Sequence, residues 1–304
     1  MKAVLAPLPT FVDGRIRAFA IATLVAQILI VGTGGAVRLT GSGLGCPTWP
    51  QCIDGSFVAT PEMGIHGIIE FGNRLLTFVL VAIAIITFVL VLRLRKQRRD
   101  LFLITLFIGL GIPMQAVIGG ITVLSNLNPY VVGLHFVLSI VLVVLATVLV
   151  YRAFVGQRGE RVVVPTWFFL STHVATVLAA ITILVGIVTT GSGPHAGDGG
   201  ASRNGLNSEL LQHVHSWPAY GLLAVTLLLV VGAIQLRLPR TRRFALLLLG
   251  VELVQVAVGI VQARLGLPEF LVGTHMVLAC CVASAMTAVV LSLRETSVAV
   301  EVGR

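Results

Sequence analysis

Stretches of about 20 apolar residues recur along this chain, at roughly 17–37, 67–92, 101–124, 130–151, 166–190, 210–236, 243–264 and 269–292. A helix of that length crosses the hydrocarbon core of a bilayer. Inside a bilayer, a helix is how a single segment satisfies its own backbone hydrogen bonds. With 57% hydrophobic and 11% charged residues, and short segments between the runs, the chain leaves no room for a soluble domain. The expectation is an all-α integral membrane protein with eight transmembrane helices. The first run is long and lacks a short signal-peptide core with a cleavage site, so it is expected to stay as a helix.

The formal net charge of +9 has a topological explanation. Apart from Arg38, Arg74, Arg203 and Arg264, every Lys and Arg lies in the N-terminal segment, in alternate loops or in the tail. The basic loops are "RLRKQRRD" after the second run, the segment with Arg152, Arg158 and Arg161 after the fourth, and "RLPRTRR" after the sixth. The positive-inside rule then puts both termini in the cytoplasm of a cell whose plasma membrane the chain spans. The bilayer is the expected partner, and nucleic acid is not.

The two halves repeat. Gln115, Gly119, Gly133 and His135 match Gln255, Gly259, Gly273 and His275 at a constant offset of 140. "TGSG" at residue 40 matches "TGSG" at residue 190. Four helices per repeat leave both copies in the same orientation, related by an axis along the membrane normal. This predicts two tandem pseudo-symmetric four-helix bundles, residues 1–155 and 156–304. The second and sixth runs align less clearly. An offset of 149 pairs His66 with His215, and 147 pairs it with His213. These two histidines point about 200° apart on a helix, so one of them can face inward, and 149 lies nearer the offset of 150 just upstream.

Four histidines at repeat-related positions, His66, His135, His215 (or His213) and His275, therefore head helices near the outward membrane face, two per bundle. Two imidazoles facing each other across a bundle can clamp a haem iron from both sides. Zinc would ask for further ligands that this pattern does not clearly offer. His173 has no repeat partner and is read as structural; His195, in "GSGPHAGDGG", is expected to be solvated.

The second run opens with a polar stripe, His66, Glu70, Asn73 and Arg74, all on one helical face. The sixth run has Trp217, Pro218, Ala219 and Tyr220 in place of the last three. Polar groups in a membrane segment mark chemistry or a partner. Glu70 is thus a catalytic or substrate-orienting candidate, with an ion pair to Arg74 as the alternative. Arg74 and Arg38 suit haem propionates, since guanidinium binds carboxylate bidentately. Gln115 and Gln255, near glycines, are expected to hydrogen-bond between helices. Cys280 and Cys281 read as small core residues. Cys46 and Cys52 lie in "GSGLGCPTWPQCIDG", an outward loop where disulfides persist; free or reactive thiols, or a metal pair, are the alternatives.

The stretch Gly35 to Cys52, "GAVRLTGSGLGCPTWPQC", and the signature "IEFGNR" at Ile69 to Arg74 resemble the heme A synthase family. The resemblance extends over nearly the whole chain. It implies oxidation of the C8 methyl of heme O, by successive hydroxylations, to the formyl group of heme A for terminal oxidase assembly. It implies a heme b on His215 and His275, a substrate site with His135 as ligand, a functionally important Glu70, and a Cys46–Cys52 pair that some members use as a disulfide. Partners would be a heme O synthase that supplies substrate and an electron donor, with homo-oligomers an option. Many members carry histidine where this chain has Asn73. His66, two turns away on the same face, is the candidate replacement ligand; the alternative is His135 alone with an open iron site. Rival classes are a di-haem b-type cytochrome that only transfers electrons, and a transporter, which would place polar groups near the bilayer midplane.

Overall fold

The computed structural model describes residues 8–297. The basic residues Lys2 and Arg304 lie outside the described range. Eight long helices account for most of the chain: α1 (Gly14–Leu39), α2 (Gly64–Val91), α3 (Arg99–Leu124), α4 (Pro129–Phe154), α5 (Thr166–Ser192), α6 (Ser208–Gln235), α7 (Pro239–Arg264) and α8 (Glu269–Ser292). All eight are long and apolar enough to cross a membrane. They carry large apolar side chains on their outer surfaces, among them Phe78, Phe107, Leu170 and Val177. In water such a surface would be costly; in lipid it is the matching solvent.

The helix boundaries follow local chemistry. Asp13 caps α1, its Oδ1 accepting from the N–H groups of Arg15 and Ile16 at 3.1 Å. Asn128 caps α4 by accepting from Tyr130 N–H at 3.0 Å, with Pro129 at the first helical position. Asn207 caps α6 through Leu210 N–H at 2.8 Å. The turn from α3 to α4 places Asn126 and Leu127 at positive φ (49° and 57°), and the turn from α7 to α8 does the same with Gly266 and Leu267 (75° and 62°). These turns are 140 residues apart, the offset of the sequence repeat.

In the first half, α1 packs on α2 and α4, and α3 packs on α2 and α4. In the second, α5 packs on α6 and α8, and α7 packs on α6 and α8. Helix α8 also packs on α1 and α4, and α4 on α5. The α1–α8 approach is close: a Cβ at Gly32 would sit 3.1 Å from Val277, and one at Gly35 3.3 Å from Met276. Cys280 is buried with Val31 and Val143 at this seam, the core position expected of it. Thr147 on α4 donates to Ser284 on α8 at 2.8 Å.

A small antiparallel ribbon stands outside the helical expectation. Strand β1 (Gln157–Val162) pairs with β2 (Arg294–Ser297), tying the α4–α5 connection to the chain beyond α8. Six residues of mixed polarity gave no periodic strand signal, because the pairing partner lies over 130 residues away.

Candidate functional site

The four repeat-related histidines lie near the end of the helices opposite the ribbon, and His173 lies at the ribbon end. His215 on α6 and His275 on α8 face each other, with ring centroids 6.1 Å apart and planes at 71°. His213 points the other way and is exposed. The His215 Nδ1 lies 3.0 Å from the Thr182 carbonyl oxygen. A carbonyl only accepts, so Nδ1 carries the proton and Nε2 keeps its lone pair. Two metal–imidazole bonds of about 2 Å, each extended by about 1 Å to the ring centre, separate opposed ligands on one metal by about 6 Å. The observed spacing fits a haem iron held between these rings.

The backbone makes room for the rings. A Cβ at Gly186 would fall 2.8 Å from His215 Cε1, and one at Gly259 would fall 3.2 Å from His275 Cε1. Gln255 Nε2 donates to the His275 carbonyl at 3.1 Å. The first half repeats this at His135 on α4. A Cβ at Gly119 would lie 3.3 Å from its Cε1, and Gln115 Nε2 donates to its carbonyl at 3.1 Å. Both glutamines bridge neighbouring helices as expected. The Nδ1 atoms of His135 and His275 are buried without hydrogen-bond partners.

His66 differs from the other three. It is exposed, and its Nδ1 lies 2.9 Å from Ser42 Oγ. It borders an open cavity of about 550 Å³ shared with Gly41, Leu44, Gly45 and Met63 of its own half and with Asp198 and Gly199 of the other. Among the described residues, the ring contact made by His215 and His275 has no counterpart between His66 and His135. Asn73 turns toward α1, its Oδ1 accepting from Thr33 Oγ1 at 2.8 Å.

Cys46 and Cys52 form a disulfide, and both are fully buried. Glu70, 5% exposed, lies beneath this loop. Its Oε2 accepts from Cys46 N–H at 2.6 Å, and its Oε1 accepts from Arg74 Nη2 at 2.5 Å and Nε at 3.2 Å. The ion pair weighed as the alternative reading of Glu70 is thus present, and Arg74 reaches further. Its Nη2 donates to the carbonyls of Cys46 (3.0 Å) and Thr48 (3.1 Å), and its Nη1 to that of Gln51 (3.2 Å). Trp49 from the same loop packs against Gly120 on α3, the residue after Gly119. The loop therefore lies beside the His135 region.

Arg38 crosses to the second half. Its Nε donates to the His195 carbonyl at 2.7 Å and its Nη2 to that of Thr190 at 3.1 Å. His195 is half-buried rather than solvated, because its Nε2 bonds the Leu267 carbonyl at 2.8 Å. These loop carbonyl partners of Arg38, Arg74 and His195 carried no sequence signal. His173 is structural in its local contacts, its Nδ1 donating to Phe169 O at 2.8 Å.

Eight membrane-competent helices with two imidazoles opposed between α6 and α8 define an integral membrane protein with a two-histidine site. The chain belongs to the COX15-CtaA family of cytochrome oxidase assembly proteins, whose family model matches residues 17–287. It is similar to the heme A synthase of Listeria welshimeri, 24% identical over 175 residues, covering 56% of this chain and 57% of that protein. It is also similar to those of Bacillus pumilus (32% over 145 residues, 46% of this chain and 45% of that protein) and Lysinibacillus sphaericus (34% over 127 residues, 40% of each). The matched region thus spans about 57% of the Listeria protein's length.

Proposed function

We propose that this protein is a membrane oxidoreductase that converts heme O to heme A by successive hydroxylations of the C8 methyl, serving terminal oxidase assembly. Family membership and the names of the similar proteins support the activity. The observation that carries the site assignment is the opposed pair His215 and His275, two imidazoles that would hold a haem iron between them.

In this reading the chain works as two four-helix bundles, 1–155 and 156–304, an arrangement supported by the helix neighbours within each half. The second half would hold a heme b, which would supply electron relay. His215, fixed by Thr182, and His275, backed by Gln255, orient it. The first half binds substrate heme O with His135 as ligand. His66, at the rim of the shared cavity, lies near the entry and is the second candidate ligand. The plasma membrane, with both termini cytoplasmic, is the proposed location, supported by the asymmetry of Lys and Arg. A heme O synthase and an electron donor are the proposed partners.

Glu70 gives the first half a carboxylate where the matching stretch of α6 has Ala219; the buried carboxylate of the second half, Glu252, lies on α7 and accepts from Thr226 Oγ1 at 2.9 Å. Oxidation of a methyl carbon develops positive charge there before water adds. A carboxylate fixed nearby stabilises that charge or orients the water, because its oxygens retain lone pairs beyond the two anchoring bonds. Arg74 pairs with the carboxylate and holds the disulfide loop over it. Arg38 and Arg74 retain the role of propionate partners through N–H groups not spent on the loops.

The test is extraction of haems from membranes expressing the protein with heme O supplied. Heme A is expected with the wild-type chain and not with Glu70→Ala. A protein that carries haem but forms no heme A would instead be the electron-transfer cytochrome, and one that binds no haem would remove both readings.

A further inference from the structure

A second cavity, of about 110 Å³, lies at the opposite, basic end of the helices, between α4, α5 and α8. Tyr151, Arg152, Arg158 and Arg294 line its polar side; Phe169 and Leu291 line its apolar side. Water-sized accounting gives such a space room for about four waters, which suits one compact polar group and excludes a nucleotide.

The polar side is rich in cations. Arg152 shares Asp100, at 3.6 Å, with Arg98, which already holds both oxygens of that carboxylate at 3.0 Å. Arg158 lies within electrostatic reach of Arg152 and has no side-chain partner among the described residues. Arg294 donates to the Glu160 carbonyl at 2.6 Å. Glu295, on the rim, is paired with Arg161 at 3.5 Å.

The second observation is Tyr151. It is 6% exposed, and its hydroxyl has no hydrogen-bond partner. Arg240 approaches that hydroxyl as a further cation, while its Nη1 donates to Thr296 Oγ1 at 3.1 Å. A buried hydroxyl without a partner is costly. Here it stands among guanidinium groups, which only donate. The group that would satisfy hydroxyl and guanidiniums together is an anion with several acceptor oxygens.

We propose that this cavity binds a phosphate group, with the Tyr151 hydroxyl and the Arg152, Arg158 and Arg294 guanidiniums as its donors. Two sources share that chemistry, an anionic phospholipid headgroup and free phosphate. Basic pockets between membrane helices accept lipid headgroups, and the Phe169 and Leu291 side gives the glycerol and first methylenes an apolar wall.

The full chain, purified in detergent, is titrated with dioleoyl phosphatidylglycerol, dioleoyl phosphatidylcholine or inorganic phosphate, with Tm and native mass spectrometry as readouts. Phosphatidylglycerol is expected to raise Tm and stay bound, and phosphatidylcholine is not. Arg158→Gln, an exposed side chain, and Tyr151→Phe, which removes one oxygen, should each weaken that binding about tenfold, the worth of one charge-assisted hydrogen bond. Arg264→Gln, at the other end of the helices, should leave it unchanged. Protection by inorganic phosphate that phosphatidylglycerol does not exceed would support the site with free phosphate as its source. No preference for either over phosphatidylcholine, or wild-type binding in both variants, would overturn the proposal.

Discussion

The backbone N–H of Cys46 donates to Glu70 Oε2 across 2.6 Å, so a helix carboxylate and a disulfide loop are held as one unit. Arg74 closes the unit from the other side. Removing one partner of a buried pair leaves the other uncompensated, at about 3–5 kcal/mol. Because Arg74 is partly exposed, Glu70→Ala is expected at the lower end, about 3 kcal/mol, with heme A formation lost. Glu70→Gln keeps an acceptor for Cys46 and should retain most of the stability while losing most of the activity. Melting in detergent and haem extraction check this; an unchanged Tm in Glu70→Ala would refute the anchoring.

The histidines make a spectroscopic prediction. His215→Ala and His275→Ala should each lose the two-imidazole haem absorbance of the purified protein, while His213→Ala, whose side chain is exposed, should keep it. A His213→Ala spectrum changed as much as that of His215→Ala would reverse the choice between them.

Gly186 sets the position of one ring. A methyl group there would fall 2.8 Å from His215 Cε1, so Gly186→Ala must displace the imidazole. Gly250→Ala meets open space and should gain up to about 1 kcal/mol of helix propensity. The pair is compared by haem content per protein and by Tm. Equal haem content in both would contradict the contact.

The Cys46–Cys52 bridge closes a short loop of sequence separation 6. Loop-closure arithmetic assigns such a loop roughly 2 kcal/mol. The Cys46→Ser, Cys52→Ser double variant is therefore expected to melt several degrees lower and to lose heme A formation, as Trp49 and the Glu70 clamp loosen. Full activity in the double variant would show that the loop holds its shape without the bond.

Orientation can be read by labelling. With Cys280 and Cys281 replaced by Ala, Gly199→Cys should react with an impermeant maleimide in intact cells. Glu160→Cys, on the ribbon, should react only after permeabilisation. The reverse pattern would invert the topology drawn from the basic loops.

What could be read from the chain alone was local or periodic. Apolar runs located all eight helices to within a few residues, because a segment in lipid must satisfy its own backbone wherever its neighbours lie. The repeat offset of 140 paired Gln115 with Gln255 and His135 with His275, and the two glutamines make the same bond to the two histidine carbonyls. The disulfide followed from two cysteines close in sequence in a loop read as outward.

Tertiary structure decided which atoms meet. The repeat offsets favoured His215 over His213 without deciding between them; in the fold His215 faces His275 and His213 is exposed. Arg38 holds loop carbonyls 152 and 157 residues away, partners that its place in the sequence did not announce. His195 gained its partner from Leu267, across 72 residues. The ribbon of β1 and β2 exists only as a pairing of distant segments. Helix formation in a bilayer is dictated by each segment's own hydrogen bonds, whereas the partner of a long polar side chain depends on which backbone the packed helices bring within about 3 Å of it.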